Sequence, residues 1–504
     1  MATKAVTEQK PQKKTNIEKK MNASFVTYLH KVLKNVSEAH IGVKTAEQLS
    51  SLIKVIVLQL SAEARSLCVH SKRCTVGERD IMTAVNVWIP KDMSADVQVS
   101  IREALEFYQK YQEEHSQTET AGEKTRASPV RMETQAGLLF SVSVVETILR
   151  DYGMSNLNVA KKAKIALAAV AEYIAATILD KTSDYVKDQK KKIIYIRYLF
   201  MTINNDEDLT NLCQNFNIEL VGGGVVPGYH PELNKQKTQK PKTRGAKCRP
   251  GDKSLTNIKE LQQTCDLLVQ KDPFEKEVRA VVTNIISETR TLDILRVKAN
   301  SDKKPVVRFS YGSILALQYF AEQRVTSLLS QAVRVGIYAG HEGVKGDDVN
   351  MVWDLAYPNV HRVVGDKGPL SLNKLSKNGI ERMATRGGVK RKRDDMYIAV
   401  RQFMYSLLHN VLFSALQYIN HRDYVTISLG DLERSISNLG IRFTIPPTMG
   451  KPKNVRKKAT SAPASPAPTP RKTTKAAPKA AAKGVSKKGR KKGASRRRSA
   501  IKSS

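Results

Sequence analysis

The chain has 504 residues, of which 41% are hydrophobic and 6% aromatic, and it carries a formal net charge of +36. This length allows three or four domains with cores of their own, and so large a positive charge indicates a polyanionic partner, for which DNA is the default. The first residues lack the apolar core of a signal peptide and no run approaches the length of a membrane span, so we expect an intracellular protein with no membrane partner.

Catalytic and metal-binding motifs are missing from the sequence. The nine histidines are scattered, and no HExxH, P-loop or GxSxG motif occurs. We therefore expect no enzyme and no cofactor. The five cysteines form no CxxC pair and are odd in number, which predicts reduced thiols rather than a disulfide or zinc framework. They are Cys68, Cys74, Cys213, Cys248 and Cys265.

The first folded block follows a polar, Lys-rich arm at residues 1–20 that is typical of disorder. Its clearest helix spans 45–70, where apolar residues recur at spacings of three and four. Interruptions of the helical apolar pattern on either side of this helix predict a short helix before it and another after it. The block therefore consists of a short, a long and a short helix.

Two motifs in this block predict helix starts. Thr45 followed by Gln48, and Thr75 followed by Glu78, have the spacing of a capping box. We therefore expect Thr45 and Thr75 to cap the long helix and the short helix that follows it.

The same unit returns three more times. A lone long helix of this kind cannot bury its apolar face, so the units should pair. The later long helices are predicted by stripes through Ile165–Ile178, Ile314–Leu328 and Val400–Tyr418. Polar linkers lie at 117–128, 234–252 and 358–369.

The four repeats resemble the four core histones, each a different one. Residues 21–116 resemble histone two-B through SFVTYLHKVLKNV and SKRCTVGERDIMTAV. Residues 126–230 resemble histone two-A through QAGLLFSVSVVETILR, LAAVAEYIAATIL and GGGVVP. Residues 251–357 resemble histone three through KDPFEKEVR and VRFSYGSILALQ, after a leading helix at SLTNIKELQQTCDLLVQ. Residues 371–445 resemble histone four through ATRGGVKR and HRDYVTISLGDLERSI.

This resemblance implies an all-α chain of four tandem histone folds that form two intramolecular handshake heterodimers, with disordered basic N- and C-terminal tails. Fusing each pair raises the effective concentration of its partner. The arrangement also resembles the fused histone multiplets of large DNA viruses of amoebae. The implied function is sequence-nonspecific binding and wrapping of double-stranded DNA for genome compaction, in host chromatin and nucleus, a viral factory or the virion.

The resemblance further implies that loops, helix N-termini and minor-groove arginines contact DNA, with Arg308 as the strongest candidate. Val144 and Ile193 stand where histone two-A has arginines, and Asp423 and Tyr424 where histone four is basic, so we expect looser binding there. The implied DNA-binding residues are Lys44, Lys72, Arg73, Thr75, Arg150, Lys161, Lys162, Lys190, Lys191, Lys192, Lys271, Lys276, Arg279, Arg308, Arg386, Lys390, Arg391 and Arg422.

Two further surfaces follow from the resemblance. The first is an acidic patch for basic peptides, weakened because Thr177 replaces an acidic residue; an ordinary solvated face is the alternative. It comprises Asp92, Glu172, Asp180, Asp206, Glu207 and Asp208. The second joins a second copy of the chain into an octamer-like core. It comprises Val335, Tyr338, His341 and Asp348, of which Tyr338 and His341 depart from the family, so we expect the octamer to depend on DNA.

The segment 451–504 is a low-complexity run of Ala, Pro, Lys, Ser and Arg that resembles linker-histone tails and is predicted to be disordered. Thr469–Lys472 is similar to a phosphorylatable minor-groove motif, and Lys487–Arg498 equally fits a nuclear import signal.

Two other functions remain open. One is a histone-fold subunit of a transcription factor, which should prefer selected sequences to random DNA. The other is a histone mimic that acts as an interaction module or decoy for chromatin factors, which should protect DNA weakly.

Overall fold

The computed structural model describes residues 24–119, 130–151, 158–228, 252–288, 307–310, 312–341, 343–363 and 376–444. The predicted arm at 1–20 and tail at 451–504 lie outside these ranges, as do the phosphorylation and import motifs. Within them, every helix is too short or too polar to cross a membrane.

The first half of the chain contains two units in which a long helix lies between short ones, with a two-residue strand at each end of the long helix. The first has α1 (Val26–Val36), β1 (His40–Ile41), α2 (Val43–His70), β2 (Thr75–Val76), α3 (Glu78–Trp88) and α4 (Lys91–Glu119). The second has α5 (Met132–Gln135), α6 (Val142–Asp151), β3 (Asn158–Val159), α7 (Lys161–Asp188), β4 (Ile193–Ile194), α8 (Ile196–Asn205), α9 (Glu207–Asn215) and β5 (Ile218–Leu220).

The second half repeats this order. The third unit has α10 (Asp252–Gln263), α11 (Lys271–Glu288), β6 (Arg308–Phe309), α12 (Ser313–Tyr338), β7 (Gly343–Val344) and α13 (Gly346–Ala356). The fourth has α14 (Lys377–Arg386), β8 (Arg391–Lys392), α15 (Asp394–His421), β9 (Thr426–Ile427), α16 (Leu429–Ser437) and β10 (Arg442–Thr444). The predicted long helices and their apolar stripes are confirmed.

The short strands show how consecutive units pair. β1 is parallel to β4 and β2 to β3, so both loops of the first unit join the opposite loops of the second. In the same way β6 pairs with β9 and β7 with β8. Each pair of units is therefore arranged head to tail, with its long helices crossing between two loop pairs.

Two hydrophobic cores correspond to these two pairs of units. In the first, Phe25 stacks on Phe140 of the neighbouring unit at 5.0 Å between ring centroids. In the second, Trp353 meets Phe403 edge to face at 5.2 Å. Both contacts join side chains of different units, so each unit completes its core with its neighbour.

The two halves are joined through β5 and β10, which form a parallel pair with Arg442 opposite Ile218. Val221, directly after β5, is buried in the core of the second half. Its carbonyl accepts a 2.9 Å hydrogen bond from the Gln48 side-chain amide of the first half. The chain after α9 therefore connects both cores.

The predicted capping boxes are wrong at both positions. The long helix α2 begins at Val43 with Gly42 as its N-cap, and Thr45 is buried in its first turn. Helix α3 begins at Glu78, after Thr75 has already paired in β2. Pairing of the loops fixes where these helices begin, and local spacing carries no signal of that pairing.

Candidate nucleic-acid interface

The eight strands of the loop pairs share one pattern of exposure. The second residue of each strand is buried or half-buried. The first residue is exposed in every strand except β7, where Gly343 is half-buried. The row of first residues is His40, Thr75, Asn158, Ile193, Arg308, Gly343, Arg391 and Thr426. We call these the outward strand positions.

The four long helices start at these loops, and in the first turn of α15 the Asp395 carboxylate accepts the N–H of Met396. Their N-caps are Gly42, Ala160, Gly312 and Arg393, and none makes a side-chain hydrogen bond to the first turn. The first N–H groups of an α-helix have no partner inside the helix and carry the positive end of its dipole. Such helix ends favour phosphate groups.

Most predicted DNA-binding residues lie at or beside the loop pairs with exposed side chains. Lys162, Arg279 and Lys390 are half-buried, and the side chain of Arg150 lies outside the described residues. The exposed ones are Lys44, Lys72, Arg73, Thr75, Lys161, Lys190, Lys191, Lys192, Lys271, Lys276, Arg308, Arg391 and Arg422.

Two arginines of this set are also held by contacts inside the protein. Arg73 makes a 2.5 Å ion pair with Asp80, which also accepts the N–H of Gly77 at the start of α3. Arg279 pairs with Glu275 at 2.8 Å and lies 5.6 Å from the ring of Phe309, the residue after Arg308. These contacts orient the two guanidinium groups and leave both partly accessible.

Arg386 is a correction to the predicted set. Its side chain is buried, and its guanidinium donates to the carbonyls of Leu261 and Asp266 at 3.2 and 2.8 Å and to the Thr264 hydroxyl at 3.0 Å. It therefore anchors the end of α10 and does not face solvent. The sequence places it beside Arg391, and only the neighbouring unit buries it.

Arg197 was missed at the sequence level and has a similar role. It donates to the carbonyls of Gly223, Val225 and Gln262 at 2.8, 2.6 and 3.0 Å. These acceptors belong to the Gly-rich segment after β5 and to the end of α10, so one side chain joins the second unit to the third. Nothing local in the sequence marks this role.

The predicted acidic patch divides into half-buried and exposed carboxylates. Glu172 accepts the N–H groups of Leu139 and Phe140 at 2.8 and 2.9 Å. Burial raises the pKa of the Glu172 carboxyl, and these two hydrogen bonds oppose the rise. Glu322 binds the N–H groups of Leu268 and Val269 in the same way. Glu172 is therefore a structural residue more than part of an open surface.

The exposed part of the patch includes a residue that was not predicted. Asp92, Asp180 and Glu207 are exposed, and Asp208 is half-buried. Asp96 is also exposed and accepts a 3.1 Å hydrogen bond from the Tyr173 hydroxyl.

Asp206 contributes less charge to this surface. It pairs with Lys181 at 2.6 Å and caps α9. Burial alone would raise the pKa of Asp206, but the hydrogen bonds from Lys181 and from the N–H of Leu209 hold it below its ordinary value. The Lys181 ammonium therefore neutralises this carboxylate locally.

The predicted chain–chain surface is apolar at its exposed positions. Tyr338 is 89% exposed, and Leu355 and Met351 on α13 are 76% and 53% exposed. Val335 is half-buried against the core. By contrast, Asp348 is buried, pairs with His341 at 3.4 Å and accepts the N–H of Lys345.

Among the described residues, no group of three or more His, Cys, Asp or Glu side chains could hold a metal ion. Cys68, Cys74, Cys213 and Cys265 are free thiols, and Cys248 lies outside the described ranges.

Comparison with known proteins identifies the family. The family model of the core histone H2A/H2B/H3/H4 domain matches residues 5–87. Histone H2AX of Tetrahymena thermophila is 36% identical over 124 residues, which are 25% of this chain and 88% of the relative. The chain belongs to the core histone family.

Other relatives agree with this result. Histone H2A.2 of Candida glabrata is 37% identical over 120 residues, 24% of this histone chain and 88% of the relative. Histone H2A of Kluyveromyces lactis is 37% identical over 122 residues, 24% and 91% of the two chains. A solved histone from Methanopyrus kandleri aligns with 36% of this chain and 99% of its own at a TM-score of 0.24 and 14% identity, too weakly to bear on the fold.

Proposed function

We propose that this histone packages DNA as four tandem histone folds that wrap double-stranded DNA without sequence specificity, with two chains in each particle. The folds are assigned as two-B-like at 21–116, two-A-like at 126–230, three-like at 251–357 and four-like at 371–445. They form two intramolecular heterodimers, flanked by the basic arm at 1–20 and the basic tail at 451–504.

The single observation that carries this proposal is the repeated loop pair. Four times, two loops of neighbouring units join as parallel strands, and basic side chains flank the joint in each case. A long helix whose N-cap side chain makes no hydrogen bond starts at every one of them. This repetition provides several separate phosphate-binding points along one protein surface, which a wrapped duplex requires.

The polar and basic side chains at the outward strand positions support DNA contact that does not depend on the base sequence. Arg308 and Arg391 suit insertion into the minor groove, and Lys or Arg residues beside them suit phosphates. We assign the exposed and half-buried members of the predicted set to DNA contact and leave Arg386 out, because its donors are used inside the protein.

A second copy completes the particle in this proposal. Tyr338 at the end of α12 and Met351 and Leu355 on α13 are exposed apolar side chains, which a monomer would leave in water. Two chains joined there supply eight histone folds. The exposed carboxylates around Asp92, Asp180 and Glu207 are proposed to bind basic peptides of other chromatin proteins.

In this proposal the protein lies on chromatin in a nucleus. The order of its four fused repeats is also consistent with a viral factory or the virion of a large amoeba-infecting DNA virus. The order of the four repeats and their resemblance to such multiplets are the basis of this assignment.

The deciding experiment is nuclease protection. The purified chain is mixed with DNA of about 200 base pairs, digested with micrococcal nuclease, and the fragments are sized against the about 146–147 base pairs of a histone octamer. A discrete band of about 100–150 base pairs from particles with two chains supports the proposal. A band of about half that length means that one chain wraps alone. A smear contradicts DNA packaging and favours the decoy.

A further inference from the structure

One loop pair differs from the other three in its outward side chains. At the β1–β4 pair, His40 lies opposite Ile193, and Ile193 is 39% exposed. Among the described outward strand positions, Ile193 is the only large apolar side chain. Tyr195 follows β4 as the N-cap of α8, has extended backbone, and is 54% exposed. In the other loop pairs the strand that follows a long helix has Thr75, Gly343 or Thr426 at this position, so an exposed apolar residue there is particular to the β1–β4 pair.

Tyr195 packs beside the partner strand. Gly42 follows β1, and a Cβ atom there would lie 3.8 Å from Cδ1 of Tyr195. The Tyr195 ring therefore lies against bare backbone. On its other side the ring centroid is 6.3 Å from that of Tyr198. Ile193 and Tyr195 are thus two exposed apolar side chains at one loop pair, and we call them the projection.

Exposed lysines lie close in sequence to the projection. Lys44, Lys190, Lys191 and Lys192 are all exposed within a few residues of the two strands, with Glu38 as an acidic neighbour. Helices α2 and α8 both begin here, and no side chain caps either of them. Exposed apolar side chains next to phosphate-binding groups suit a nucleic-acid duplex, because its charges lie on the outside and its stacked bases lie inside.

We propose that Ile193 and Tyr195 form a wedge that enters the minor groove and partly unstacks one base step, while the surrounding lysines bind the flanking phosphates. Apolar wedges of this kind kink DNA, and pyrimidine–purine steps yield most easily. The wedge rests on the proposed DNA packaging and adds a preference for deformable steps at one position per chain. A lipid surface also combines charge with apolar groups, but two projecting side chains offer little area for insertion.

The test uses the full chain on a positioned DNA in which single adenines are replaced in turn by 2-aminopurine, whose fluorescence rises when it unstacks. One position per chain should brighten several-fold on binding. Ile193→Ala should abolish that rise, and Ile193→Arg should abolish it while keeping a minor-groove contact. The control Asn158→Ala changes the outward residue of the neighbouring loop pair and should leave the signal unchanged.

The outcomes separate the wedge from DNA packaging itself. If nuclease protection persists but no 2-aminopurine position brightens, or Ile193→Ala brightens like the parent, the wedge is refuted and packaging stands. If protection is absent altogether, the packaging proposal fails first. If Ile193→Ala instead weakens binding to vesicles of anionic phospholipid and leaves the DNA signal unchanged, the projection serves a membrane and the wedge is again refuted.

Discussion

The Arg422 guanidinium donates a hydrogen bond to the carboxylate of Asp431, nine residues later in the chain. In the first unit Arg73 reaches Asp80, only seven residues later. Each aspartate is buried and also accepts the N-cap N–H of the next helix, from Ser428 and Gly77 respectively. The fourth unit therefore keeps an ion pair at this loop, although Asp423 and Tyr424 lie in the loop itself.

This arrangement predicts that Asp431→Asn destabilises the second half of the protein. The substitution removes the charge that pairs with Arg422 and weakens the cap of α16, at a cost of about 1–3 kcal/mol for a buried hydrogen-bonded group. The midpoint of urea unfolding measures it. Asp347→Asn, an exposed position in the first turn of α13, is the control and should change the midpoint little. Equal midpoints for both variants would contradict a structural role for the pair.

Arg391 should contribute to DNA binding, whereas Arg386 should contribute to the stability of the fold. Because Arg391 is exposed and Arg386 buried, Arg391→Ala should weaken DNA binding and reduce the slope of log affinity against log salt by about 0.9. Arg386→Ala should lower the melting temperature and leave that slope unchanged. Fluorescence anisotropy at several salt concentrations measures the slope. A reduced slope for Arg386→Ala would show that its guanidinium reaches phosphate after all.

Arg197 should control the attachment of the third unit's leading helix. Arg197→Met keeps the aliphatic stem but removes three hydrogen bonds to backbone carbonyls. Amide hydrogen exchange should therefore rise in residues 222–225 and in α10, with little change in α12. The exposed Arg382→Met is the control. Unchanged exchange in α10 would mean that other contacts suffice to hold the helix.

Glu433 should make the stability depend on pH. Burial raises the pKa of Glu433 from 4.5 to about 7, and Lys54 of the first unit opposes the rise. Between these values the folded protein keeps the proton and the unfolded chain loses it. Stability should therefore fall as pH rises from about 4.5 to about 7.

Glu433→Gln removes this titration, so its melting temperature should exceed that of the parent most clearly at pH 8. Thermal unfolding of both proteins across this pH range checks the prediction. The same difference between parent and variant at pH 4 and at pH 8 would contradict it.

The exposed apolar surface should set the number of chains in the particle. Tyr338→Asp and Leu355→Asp place charges on side chains that are 89% and 76% exposed, so the isolated fold should persist. A two-chain contact there would be lost because the charges would have to be buried. Sedimentation velocity on the DNA complexes should show one chain in place of two. Phe107→Asp, at an exposed apolar site far along the chain on α4, is the control.

Local sequence determined the helical units, the all-α class and the membership of the histone family, all of which are confirmed. Apolar spacing along 45–70 predicted a long helix because helical periodicity is a property of neighbouring residues. The helix starts were predicted less well. Gly42 and Gly77 cap α2 and α3 where Thr45 and Thr75 were expected, because the loops before them pair with another unit.

The tertiary structure alone decided which charged residues face outward. Arg386 and Arg391 lie five residues apart, yet one is buried against the end of α10, more than 100 residues earlier, and the other opens a strand on the surface. The sequence predicted Glu172 as a surface acid, but its carboxylate accepts hydrogen bonds from the N–H groups of Leu139 and Phe140. Burial depends on which distant segment covers a side chain, and a single sequence records the residue types but not that pairing.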